Sequence, residues 1–123
     1  MRTAIICGAL VLSVTTAGAA EIDTESANYV LPGCKALLAL TDGREMLDTS
    51  SALGAGYCMG VLKTLPEIYF GRDKCSIKFP GIFSVQQMAL IVVRYIEAHP
   101  ERMNIPFLIF AEDALRDAWP CGN

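Results

Sequence analysis

The 123-residue chain has one histidine and one tryptophan, only 8% aromatic residues, and charged residues at 19%. Each scarcity excludes something. With His99 the sole imidazole, no Ser-His-Asp set can form without it, and it lies beside Pro100 at the end of a helical pattern, where it caps carbonyls or meets solvent. The acids that could be imagined as a hydrolytic pair, Glu97, Glu101 and Glu112-Asp113, read as solvated helix faces and ends. The chain has no C-x-x-C pair for redox chemistry or zinc, and no glycine-rich phosphate loop followed by Lys-Ser/Thr. It lacks an internal repeat and a low-complexity tract. Basic charge is also short: Lys and Arg number 10 against 13 acids, a net charge of −3, which argues against a nucleic-acid partner. What is abundant is apolar surface, 53% of residues, so the chain folds as one domain rather than remaining disordered.

Residues 1–20 have the order of a secretory signal peptide. Met1-Arg2 is a short positive start, Thr3 to Val14 is apolar, and Thr15 to Ala20 is rich in small residues. The apolar run is shorter than the ~20 residues a membrane span needs, so no stable span is expected after cleavage. Two cleavage frames fit, leaving Ala20 or Glu21 first, and Cys7 would leave with the signal. The expected mature domain is 21–123, with nine bases against 13 acids and a net charge of −4.

Four cysteines then remain: Cys34, Cys58, Cys75 and Cys121. An even count in an exported chain points to disulfides, and gaps of 24, 17 and 46 residues do not suit zinc. Four helices are expected. Pro32-Gly33 interrupts the first apolar stretch, so its helix is placed from about Gly33 to Leu40, after a frayed lead-in at 21–28. Ser50 or Ser51 caps a second helix to about Leu65, with Gly56 and Gly60 on one close-packed face. Residues 66–83 have no helical period and read as a long loop. Ser84 with Gln87 forms a capping box for a third helix to about Ala98, apolar on most sides and hence central. Asn104 caps a fourth helix, with Pro106 in its first turn, which Pro120 ends. A short turn makes the third and fourth helices antiparallel, bringing Cys121 to Cys75. That leaves Cys34 with Cys58.

Two stretches go beyond generic helices: Gly56-Tyr57-Cys58-Met59-Gly60, and Val85 to Cys121 with its His99-Pro100-Glu101 turn and terminal Ala118-Trp119-Pro120-Cys121. Over about residues 28–121 the chain resembles the Rap/Tai family of immunity proteins. The resemblance implies an all-α fold without catalysis, which with the helices and cysteines read above makes a small disulfide-stapled bundle of about four helices, and no cofactor is expected. It also implies a periplasmic setting, frequent homodimers, and binding to a peptidoglycan amidase effector of type VI secretion so as to block its active site. It transfers no inhibitory residue. Residue chemistry supplies that expectation: aromatic and arginine side chains dominate binding hot spots, and the long loop offers Tyr69, Phe70, Arg72 and Phe79 as partner-binding residues. Phe79 and Phe83 could instead fold beneath the loop. A second class fits the same composition, a small periplasmic acid-stress chaperone similar to the HdeA type.

Overall fold

A computed structural model describes residues 23–43 and 48–122. The signal-like segment and Cys7 lie outside the described residues. The described residues form helices α1 (Ala27–Thr41), α2 (Thr49–Tyr69), α3 (Val85–Ala98) and α4 (Phe107–Ala118), with a 3-10 turn at Pro100–Arg102, and no strand among them. This is the expected small all-α bundle.

Three of the helices start where a side-chain oxygen takes up an otherwise unpaired amide. Ser26 Oγ accepts from the Tyr29 N–H at 3.3 Å, Asp48 Oδ1 from Ser51 at 2.9 Å, and Ser84 Oγ from Gln87 at 3.1 Å. Asp48, rather than Ser50 or Ser51, is thus the cap of α2. The N–H bonds it accepts hold its carboxyl below the usual carboxylate range.

The fourth cap is a main-chain one. Asn104 does not cap α4; Pro106 precedes it with no side-chain bond, and the Phe107 N–H donates to the Glu25 carbonyl at 2.7 Å. The exchange is mutual, since the first amides of α1, Ala27 and Asn28, donate to the carbonyls of Ile105 and Met103 at 2.9 and 2.8 Å. The described part of the expected frayed lead-in, residues 23–28, is therefore docked, with Ala27 fully buried. The helix starts need partners for their free donors, and the segment leading into each helix supplies them to the other.

Pro32 and Pro66, where the sequence reading interrupts the first helix and ends the second, sit inside helices. α1 begins at Ala27 and runs through Pro32, and α2 passes Leu65 and Pro66 to end at Tyr69. A helix-interior proline forfeits one hydrogen bond and costs about 3 kcal/mol. Burial offsets this: Val30, Leu31, Cys34 and Leu37 line the inner face of α1, and Leu62, Leu65 and Pro66 that of α2. α2 stops when the Phe70 amide turns back to the Pro66 carbonyl, 2.8 Å, and Gly71 takes φ +78°, which only glycine adopts without strain.

α1 and α2 cross at a pair of glycines. A Cβ on Gly33 would overlap the main-chain carbonyl of Gly54, and one on Gly54 would lie 3.0 Å from Gly33 Cα. This corrects the placement of the close contact on Gly56 and Gly60, where a Cβ would meet nothing within 4 Å. Beside the crossing, Cys34, next to Gly33, and Cys58, one turn beyond Gly54, are disulfide-bonded with Cα atoms 5.3 Å apart and no exposure.

α3 contributes Met88, Ala89, Val92, Val93 and Ile96 to the core and contacts the other three helices, as its apolar character suggests, although Leu90 faces outward. α4 returns antiparallel to it: Trp119, just past α4, meets Phe83, just before α3, with ring centroids 5.9 Å apart. At the turn between them, His99 Nδ1–H donates to the Tyr95 carbonyl at 2.7 Å, since a carbonyl can only accept. Arg102 binds Asp113 at 2.7 Å and lies over the Phe110 ring at 5.0 Å.

Candidate interaction surface

The segment leaving α2 is held at several points along its length. Cys75 is disulfide-bonded to Cys121, with Cα atoms 6.0 Å apart. The Lys78 N–H donates to the Trp119 carbonyl at 2.9 Å, Arg116 reaches Ser76 Oγ at 3.3 Å, and Ile77 is buried. Unlike the Cys34–Cys58 bridge, this one is at the surface, with Cys75 exposed. The first bridge staples core helices; the second ties a loop to the end of α4.

Beneath that loop lies an aromatic cluster. Phe79 sits at its centre, with ring centroids 5.8 Å from Phe70, 5.3 Å from Phe83 and 5.6 Å from Trp119. Tyr69, Phe79 and Phe83 are half-buried, whereas Phe70 is 63% exposed and Arg72 is exposed. The Arg72 guanidinium lies 5.2 Å from the Tyr69 ring centroid, within cation–π range. Burial, and then the nearby Glu112 carboxylate, push the Tyr69 phenol pKa above its ordinary value. The four residues singled out from sequence are thus brought to one end of the bundle, two presented outward and two supporting them.

Sequence reasoning passed over the most exposed apolar side chain of the described residues. Ile82, at the far end of the loop between Gly81 and Phe83, is 95% exposed. Its neighbours Pro80-Gly81 signal a turn, and an apolar residue at a turn tip with no period to draw it inward is a legible sign of protrusion.

A second surface runs along the outer side of α2. Leu53, Tyr57, Gly60, Thr64 and Ile68 follow one another at helical spacing and line two adjoining clefts of about 660 and 490 Å³, bordered by Tyr29, Glu25 and Leu108. Leu53 is 71% exposed and Tyr57 47%. The Gly-Tyr-Cys-x-Gly motif is thereby divided: Cys58 points into the core, and Tyr57 and Gly60 line the open face.

The family model of the Rap1a immunity proteins matches residues 26–121, from the cap of α1 to the last disulfide cysteine. The chain belongs to the Rap1a immunity protein family. No curated protein and no solved structure matches it. Membership supports an immunity role, which implies binding a partner effector. In this Rap1a-family chain the family-like motifs do structural work: Cys58 and Cys121 close the two bridges, His99 ends α3, and Trp119 roofs the aromatic cluster.

Proposed function

We propose that this protein is an exported immunity protein whose mature domain, from about residue 21, binds and inhibits a peptidoglycan amidase delivered by type VI secretion. The Rap1a match over 26–121 carries the reading. The signal-like order of residues 1–20 and two disulfides fit an oxidising periplasm. Inhibition by binding, not catalysis, suits a chain whose one imidazole is spent on a helix end. The reading also outweighs an acid-triggered chaperone, which would store buried carboxylates for protonation. Ser26 is the buried polar residue among those described, and their carboxylates all reach solvent.

The inhibitory face is the tethered loop. A segment already pinned by a disulfide and main-chain bonds loses less entropy when it docks than a free loop would. Phe70 and Arg72 contact the effector, while Tyr69 and Phe79 hold them in place. In cells challenged by the cognate amidase in the periplasm, the full chain should protect and a chain lacking residues 1–20 should not. Tyr69→Ala with Arg72→Ala should abolish protection while circular dichroism remains helical. Full protection by that folded variant would remove this end of the loop from the interface, and protection by the leaderless chain would place the encounter elsewhere than the periplasm.

The open face of α2 is assigned to a second copy, the homodimer that the family resemblance implies. Leu53→Ser with Tyr57→Ser should shift sedimentation from dimer to monomer at micromolar concentration. A wild-type chain that sediments as a monomer would end this assignment without touching the immunity reading.

A further inference from the structure

The loop has a charge opposite to that of the rest of the molecule. Residues 70–84 carry Arg72, Lys74 and Lys78 against Asp73, a net +2 in a chain of net −3, so the remainder carries −5. On α4, beside the loop's attachment, Asp113 is engaged by Arg102 and Arg116 at 2.7 and 3.0 Å, and Arg116 also reaches Ser76 of the loop at 3.3 Å. Lys74 and Lys78 are exposed and form no ion pair among the described residues. On the same segment Ile82 projects with 95% exposure, immediately beside Phe83, which is packed against Phe79 and Trp119. A protruding aliphatic side chain on a rigid aromatic base is preorganised as an anchor, because the groups that position it need not be ordered on binding.

We propose that Ile82 is the anchor by which this protein enters an apolar pocket of its effector, and that Arg72, Lys74 and Lys78 steer the loop to an acidic rim around that pocket. The inference rests on the immunity reading and specifies its partner: the bound face of the effector is acidic at its edge and apolar within. Burial of the anchor governs how long the complex lasts, and the basic residues govern how fast it forms. A basic, apolar-tipped loop could also meet an anionic lipid surface. Family membership favours a protein partner, and vesicles serve as the opposing arm of the test.

The probe is the purified amidase against which the full chain protects cells, and the readout is surface plasmon resonance at two salt concentrations. Ile82→Ser, which leaves the aromatic cluster intact, should weaken binding by about 30-fold, chiefly through faster dissociation. Lys74→Glu with Lys78→Glu should slow association by about tenfold at low salt, with the difference vanishing at high salt. Leu90→Ser on α3 should bind as wild type does. If the wild-type chain binds the amidase and Ile82→Ser binds equally well, the anchor is refuted and the immunity reading survives. A charge-reversed variant with unchanged association and salt dependence refutes the acidic rim. A wild-type chain that fails to bind the amidase overturns the immunity reading and this inference together. Cosedimentation of wild type, but not Ile82→Ser, with phosphatidylglycerol vesicles would assign the loop to lipid and overturn the protein pocket.

Discussion

Replacing Cys34 and Cys58 together by serine should leave the chain without a cooperative thermal transition at ambient temperature. The bridge closes a loop of about 25 residues, for which the chain-entropy argument gives about 3.5 kcal/mol. Both sulfurs are in the core with no exposure, so each serine hydroxyl adds a buried polar group that costs about 1–3 kcal/mol if unpaired. The sum is comparable to the whole stability of a small domain, about 5–15 kcal/mol. Cys75→Ser with Cys121→Ser is the contrast. Its loop is longer, and the same argument gives about 4 kcal/mol, but the replacement at 75 remains in water and the helix crossing is untouched. That variant should melt lower yet still melt cooperatively, with the loop freed. Near-ultraviolet circular dichroism and urea titration distinguish the two outcomes. A Cys34/Cys58 variant that unfolds within a few degrees of wild type would show that the core does not depend on its bridge.

Gly33→Ala should lower the melting temperature by about 5–20 °C, whereas Gly60→Ala should leave it unchanged or raise it. At position 33 the added methyl overlaps the carbonyl carbon and oxygen of Gly54, which are backbone atoms and cannot rotate away. Overpacking of this sort costs about 1–3 kcal/mol, and each kcal/mol shifts a domain of this size by about 4–8 °C. At position 60 the methyl meets nothing within 4 Å. Alanine there removes the glycine penalty of about 0.5–1 kcal/mol in a helix. Differential scanning calorimetry of the two variants reads the sign of each change. Equal melting temperatures for Gly33→Ala and wild type would mean that α1 and α2 are not in main-chain contact.

The two bridges divide the molecule's tasks, which bears on how an immunity protein can vary. The buried one fixes α1 on α2, and substitutions near it are felt throughout the core. The exposed one fixes a loop whose outward residues, Phe70, Arg72 and Ile82, have few packing obligations. On the proposed reading of the loop as the docking face, such a fold would change its target by altering the loop while keeping Cys75, Phe79, Phe83 and Trp119 as the base that holds it.

Features set within a few residues were legible in the amino-acid order alone. Ser84 and its bond to Gln87 mark the start of α3, and Pro120 the end of α4. The antiparallel return of α4 also followed from its short connection, and with it the partner of each cysteine, because a short turn leaves few places for a helix to go. Other features depended on residues distant in sequence. Pro32 and Pro66 look like helix ends until the burial on either side of them is counted. Gly54 is indistinguishable in sequence from Gly56 and Gly60 until Gly33 is laid against it. The cap of α4 is the carbonyl of Glu25, some eighty positions away, and a main-chain oxygen carries no side-chain signature. The exposure of Ile82 was decided the same way, since Phe79, Phe83 and Trp119 fill the space beneath the loop and leave that side chain none. Local hydrogen bonds are written in neighbouring residues, whereas a penalty such as an interior proline, or the choice of which apolar residue is buried, is settled by the packing free energy of contacts that exist only once the helices have met.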